Sequence, residues 1–310
     1  MKAFAPGKLV LTGAYAVLEG APAIVVATSR GVVADATCHA ACPTPEVRAA
    51  LGNTPAPLVN ASALFDGDRK LGLGASAAIL VASLGAVAIR NGIRDLTSER
   101  FRSALFFRAQ KAHAEAQRGG SGVDVAASVF GGVLCYTMGA LPVRVALPPG
   151  IELTTFACQN SARTTDLRAR VDALRVSNRA MHVAHLGDLA RIAEGAAAAI
   201  SAGDRRAFIA SVADAARSLG RLGAACGAPI VPPGLEGLSE LAAREGGAFC
   251  VSGAGGGDVA FFVGARPPRA VLERAAALGL TAMDMTFDEK GLRALPPYAA
   301  QAATDLAART

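Results

Sequence analysis

The sequence predicts an α+β fold in two domains, and three observations lead there. Its 310 residues suffice for two cores of ordinary size. Short β-branched apolar runs alternate with turn residues over positions 3–42 and return near 248–287, whereas positions 164–245 form an Ala-rich helical tract. Mixed strand and helix packing of this kind gives an α+β layer. A boundary near 155–165, placed after residue 158, gives domains 1–158 and 159–310.

Each element has its own signal. LVL, AIVVA and VVADATCHA read as strands. Prolines at 43, 45, 55 and 57, followed by DGDRK, predict loop or irregular edge structure over 43–70. Residues 75–89, ASAAILVASLGAVAI, are apolar nearly all round and stop at Asn91 and Gly92, which predicts a buried helix. A second helix starts at Thr97 or Ser98, lines up Phe101, Leu105, Ala109 and Ala112, and ends at Gly119 and Gly120. A short third helix spans 122–130, and strands VLCYTM, VRVAL and IELTTFAC follow. After the helical tract come strand AFCV, a glycine loop, strand VAFFV, a helix over 267–278, strand TAMDMTF and a helical tail over 296–310.

Composition narrows the function. Hydrophobic residues make up 52%, but polar and charged residues interrupt every apolar stretch before it could span a membrane. Pro6 and Gly7 break the apolar core that a signal peptide needs, so a cytoplasmic protein is expected. Six scattered cysteines suit reduced core positions, and Cys38, His39 and Cys42 lack a second ligand pair at zinc-finger spacing. The net charge of +6 is dispersed, aromatics are 5% and tryptophan is absent, which leaves no stacking platform for nucleic acid. A mild positive field suits small anionic ligands. Lysine is scarce, confined to Lys2, Lys8, Lys70, Lys111 and Lys290, so a lysine inside a motif stands out.

Four motifs carry chemistry. In VSGAGGGDVAFF, Gly253, Gly255, Gly256 and Gly257 exceed what a hairpin needs, and read either as a loop wrapped on a polyanion or as a long hairpin. In GLGASAA, Gly72 and Gly74 let the backbone bend ahead of the buried helix, whose first N–H groups and dipole favour an anion. Steric packing is the other reading of those glycines. The segment lacks the Gly-Lys-Ser/Thr of a Walker A loop, and FDGDRK ahead of it is not the apolar strand of a dinucleotide fingerprint. APGK places Lys8 after a Pro-Gly turn, as a surface lysine or a ligand. GSGVDVAA places Asp124 early in a short helix, where the dipole alone would favour it.

In order and spacing these motifs resemble those of the GHMP kinases, over residues 4–264. The resemblance implies an N-terminal domain like ribosomal protein S5 domain 2 and a ferredoxin-like C-terminal domain. It further implies ATP and Mg²⁺ as cofactors, with Lys8 and Asp124 catalytic and Gly72, Leu73, Gly74, Ala75, Ser76 and Ala77 on the ATP phosphates. Ser76 is the implied Mg²⁺ contact. Implied substrate contacts are Lys8, Tyr15, His113, Ser121, Gly122, Ser252, Gly253, Ala254 and Gly255.

Within the superfamily the chain is most similar to the phosphomevalonate kinases. Ala112, His113 and Gln117 precede GSGVDVAA, and SGAGGGD ends on Asp258. Mevalonate kinases typically carry a magnesium-binding glutamate at the His113 position and end the late loop on another glycine. SARTTDLRARV, 161–171, is similar to that family's helix start after the domain boundary. The implied reaction takes ATP and phosphomevalonate, with no nucleic-acid or membrane partner and a monomer or homodimer as the working form; the alternatives are a mevalonate kinase or diphosphomevalonate decarboxylase of the same superfamily, or a non-catalytic small-molecule-binding relative. Four residues depart from the family pattern: Ala14 stands for a glutamate, Ala75 for a serine, and Cys250 and Val251 for a Lys-Pro pair.

Overall fold

The computed structural model describes residues 1–158 and 164–296. The expected helical tail, past its first residue, and the start of SARTTDLRARV fall outside these residues. The first elements are β1 (Lys2–Thr12), β2 (Ala23–His39), α1 (Pro45–Leu51), β3 (Pro57–Asn60), β4 (Phe65–Asp66) and β5 (Arg69–Lys70). Next come α2 (Ala75–Arg90), α3 (Glu99–Gln117), α4 (Val123–Phe130), β6 (Val133–Tyr136), β7 (Val143–Val145) and β8 (Glu152–Ala157). The helical tract is α5 (Thr164–Ser177), α6 (Arg179–Ala202), α7 (Arg205–Cys226) and α8 (Leu235–Arg244). The chain continues through β9 (Ala248–Val251), β10 (Val259–Gly264), α9 (Arg269–Ala277), β11 (Thr281–Met283) and β12 (Arg293–Leu295).

The chain forms two compact units that are not continuous in sequence. The first holds Met1–Lys8, Val26–Leu134 and the stretch from Thr286; the second holds Leu9–Val25 and Cys135–Met285. This division differs from a single cut after residue 158. Such a cut would part β8 from β10, its antiparallel partner from Glu152 to Ala157. Chain order shows which strands exist but not which strands pair.

In the first unit the sheet runs β12-β1-β2-β6, with β3 also paired to β2. Lys2, Ala3 and Phe4 of β1 face Leu295, Ala294 and Arg293 of β12. Helix α2 is buried continuously from Leu80 to Val87, because α1, α3, α4 and β12 all pack on it. That accounts for its lack of a polar face. Helix α3 buries Leu105, Phe106, Ala109, Ala112 and His113, while Phe101 is half-buried.

Helix α1 corrects the expectation of irregular structure over 43–70. Pro45 stands at the first helical turn, where its missing N–H costs nothing and its fixed φ fits, and Thr44 Oγ1 accepts from the Val47 N–H at 3.4 Å. The prolines were read as breakers, but one of them starts a helix. β3, β4 and β5 occupy the rest of that stretch. The helix buries Glu46, whose Oε1 accepts from Gln117 Nε2 at 2.9 Å.

In the second unit the sheet order is β11-β8-β10-β9, every pair antiparallel. All six residues of β10, Phe261 and Phe262 among them, are buried, as are Phe156 of β8 and Phe249 of β9. α7 and α8 pack on β9, and α6 packs on α7. The Ala-rich tract breaks where the sequence supplies side-chain caps: Asn178 accepts from the Met181 N–H and Asp204 from the Ala207 N–H, each at 3.0 Å.

Two predictions test α1. Thr44→Ala removes the cap and lowers unfolding free energy by about 1 kcal/mol, read by chemical denaturation; an unchanged midpoint would remove the cap from the account. Burial raises the Glu46 pKa, but hydrogen bonds from Gln117, its own backbone and Thr44, with the nearby His113, outweigh it and hold the carboxyl below its ordinary value. Glu46 therefore adds stability above the ordinary glutamate value of 4.5, and loses it as pH falls through the lowered one. The stability gap between the unsubstituted chain and Glu46→Gln should be widest near neutrality and narrow in acid; a gap independent of pH would contradict this.

Candidate active site

In the first unit three distant segments meet at the start of α2. The Lys8 backbone N–H donates to the Leu73 carbonyl at 2.9 Å, and Lys8 Nζ donates to the Gly72 carbonyl at 3.0 Å. Gly74 is the N-cap of α2, left-handed at φ +78, and no side chain caps the first turn. A Cβ on Gly74 would stand 2.9 Å from Lys8 Cγ and 3.4 Å from Asp124 Cβ, so only glycine fits. The first-turn N–H groups of α2 have no intrahelical partner, and the helix dipole adds positive potential there.

Asp124 lies in the first turn of α4, whose N-cap Gly122 is also left-handed and without a side-chain cap. Its Oδ1 accepts from the Val125 N–H at 2.9 Å, and its Oδ2 lies 3.6 Å from His113 Nε2. Ser128 of the same helix donates to the Pro6 carbonyl at 2.8 Å, which ties α4 to the APGK segment. Ser121 Oγ accepts from the Val123 N–H at 3.4 Å, at the entry to α4.

Ser76 is the junction of a polar chain. Its Oγ lies 3.1 Å from His113 Nε2 and 3.1 Å from Gln117 Nε2, and Gln117 Nε2 also reaches Glu46 Oε1. Sequence reading missed Glu46, because it sits in the stretch taken as irregular. Thr-Pro-Glu, a helix-start pattern at 44–46, is the signal that could have found it. His113, expected on the substrate, is buried, with Nε2 against Ser76 and Asp124.

In the second unit the late glycine loop is pinned rather than loose. Tyr15 is left-handed at φ +61, a costly conformation for an aromatic residue, and its hydroxyl donates to the Ala254 carbonyl at 2.7 Å. Burial, with a smaller contribution from Cys226, pushes the Tyr15 pKa up, so the phenol remains a neutral donor. Ser252 Oγ accepts from the Val10 N–H at 2.9 Å, and the Gly256 N–H donates to the Ile230 carbonyl at 2.9 Å. A Cβ on Gly255, at φ +77, would stand 2.1 Å from that same carbonyl. The Tyr15 hydroxyl and the Ser252 oxygen, both expected on substrate, hold the loop in shape.

Of the residues expected to act, the first unit thus gathers Lys8, Gly72, Gly74, Ser76, His113 and Asp124, and adds Gln117 and Glu46. The second unit gathers Tyr15 with Ser252, Gly253, Ala254 and Gly255. Among the described residues no group of three His, Cys, Asp or Glu could hold a metal ion, and no helix is long and apolar enough to cross a membrane. The six cysteines form no disulfide. An ammonium, uncapped helix N–H groups and a serine hydroxyl around one glycine make a place for a phosphate chain, with a carboxylate beside it.

No protein-family model matches the chain. It is 29% identical over 259 residues to a phosphomevalonate kinase from a Streptomyces species, a match covering 76% of this chain and 66% of that relative. The match therefore spans just under two thirds of the relative's length. Among solved structures, a Lin0012 protein from Listeria innocua superposes with TM-score 0.79 at 20% identity, covering 94% of this chain and 99% of that one. The Streptococcus pneumoniae phosphomevalonate kinase, solved with phosphomevalonate and AMPPNP, superposes with TM-score 0.73 at 17% identity, covering 93% and 99%. In sequence the chain is thus similar to a phosphomevalonate kinase, and it shares the fold of the solved phosphomevalonate kinase.

Proposed function

We propose that the chain transfers the γ-phosphoryl group of ATP, bound as its magnesium complex, to 5-phosphomevalonate. The product, 5-diphosphomevalonate, is a step in the mevalonate route to isoprenoids. The observation that carries the kinase reading is the meeting of Lys8 and Asp124 at Gly74, on the uncapped start of α2. The likeness to the Streptomyces phosphomevalonate kinase supports the choice of acceptor.

The chemistry needs alignment and charge neutralisation more than covalent help. An oxygen of the acceptor phosphate forms a bond to the γ-phosphorus while the bond to the β–γ bridging oxygen breaks, and ADP leaves. Lys8 Nζ, which donates to the Gly72 carbonyl, brings its positive charge to the transferring group, where negative charge accumulates. The backbone N–H groups of Ala75, Ser76 and Ala77 hold the donor phosphates. Ser121 and Gly122 stand next to Asp124 to hold the acceptor.

The acceptor sets what Asp124 must do. An alcohol holds its proton tightly near neutrality and profits from a positioned base. A phosphate monoester has its second pKa at about 6 and is already mostly a dianion. Asp124 then serves to orient its neighbours, and Lys8 carries the larger share of the rate.

Coupled ADP release with ATP and Mg²⁺, comparing mevalonate, 5-phosphomevalonate and diphosphomevalonate, tests the acceptor. Turnover with 5-phosphomevalonate alone, with a new diphosphate in the phosphorus NMR spectrum, is the expected result; turnover with another of the three, or with none, contradicts it. Lys8→Met should lower kcat by about 100- to 1000-fold, as loss of a transition-state charge partner does. Asp124→Asn should cost about tenfold or less, and a loss equal to that of Lys8→Met would mean that Asp124 acts as a base.

A further inference from the structure

The polar chain around Ser76 fixes the direction of every proton in it, and that direction bears on the Mg²⁺ contact that the family resemblance implies. Glu46 is held ionised, so its Oε1 can only accept, and the group of Gln117 that faces it must be the NH₂. The amide orientation is thereby set. The same NH₂ lies 3.1 Å from Ser76 Oγ and has a second proton for it. On the other side, His113 Nε2 faces the Asp124 carboxylate at 3.6 Å and Ser76 Oγ at 3.1 Å. The negative charge of Asp124, too far away to accept the proton itself, favours the tautomer that carries it on Nε2, and Ser76 Oγ is the group at hydrogen-bond distance to receive it.

Ser76 Oγ has two lone pairs and one proton. Gln117 fills one lone pair and His113 fills the other, which leaves only the O–H to give. We infer that Ser76 donates a hydrogen bond to a nucleotide phosphate oxygen and is not a ligand of the magnesium ion. A cation approaching Oγ would meet two N–H dipoles pointed at the same atom. A phosphate oxygen would meet the one remaining proton, on the first turn of a helix that already favours an anion. Glu46, Gln117 and His113 are positioning residues: Glu46 orients Gln117, and with His113 they commit the serine to donating. Magnesium, which dehydrates reluctantly, would on this assignment be held by the phosphates of ATP rather than by Ser76.

The assignment rests on the nucleotide-binding reading, so the test measures binding rather than turnover. Calorimetric affinities for AMPPNP are compared with and without Mg²⁺, for the unsubstituted chain, Ser76→Ala and Ser76→Cys, each first shown folded by its thermal transition. A phosphate donor is missed whether or not metal is present, so Ser76→Ala should weaken both forms by the same factor, about tenfold. Ser76→Cys should gain nothing from Cd²⁺ over Mg²⁺. A loss confined to the metal-bound form, or Cd²⁺ restoring affinity to Ser76→Cys, would overturn the assignment, and the second variant answers even if the first does not fold. No AMPPNP binding by the unsubstituted chain would instead overturn the nucleotide reading and the assignment with it.

Discussion

At Gly74 the backbone turns left-handed, and the Lys8 and Asp124 side chains both come close to where its Cβ would stand. Three segments far apart in sequence share this one point, and no side chain fits there. Everything proposed for the first unit depends on that contact. It brings the APGK lysine to the carbonyl of Gly72, leaves the first turn of α2 without a side-chain cap, and places the α4 carboxylate beside both. A methyl group at position 74 would have to displace Lys8 and would also strain the backbone, so geometry and conformation give the same answer.

The second unit uses polar side chains for a different end. Tyr15 adopts a backbone conformation that costs on the order of 1–3 kcal/mol, and its hydroxyl is spent on the Ala254 carbonyl. Ser252 Oγ accepts from the Val10 N–H. These bonds oppose the freedom that glycines at 253, 255, 256 and 257 would otherwise give the loop, and fix its backbone in one shape. A loop proposed to present N–H groups to a ligand gains from such preorganisation, since ordering it at the moment of binding would cost affinity.

Much of this was legible in the sequence, and the parts that were not have physical causes. The buried helix α2, the bounds of α3, and the glycine loop between β9 and β10 all carry strong local signals, and the structure places them within a few residues of expectation. Lys8, Ser76 and Asp124 could be picked out because the motifs around them are unusual in composition. Helix α1 and Glu46 were hidden, because proline reads as a breaker unless the threonine before it is recognised as a cap. The roles of Tyr15, Ser252 and His113 were hidden for another reason. A side chain that bonds another group of the protein and one that bonds a ligand look alike in a sequence. The interleaved units were hidden too, since β8 pairs with strands more than 100 residues further along the chain.

The central claim is that nucleotide phosphates sit on the first turn of α2, and amide hydrogen exchange reads those N–H groups directly. With saturating AMPPNP, the amides of Ala75, Ser76 and Ala77 should slow, because the phosphates become their hydrogen-bond acceptors. Unchanged exchange over 74–78, with protection appearing elsewhere in the chain, would place the nucleotide at another site and contradict the account.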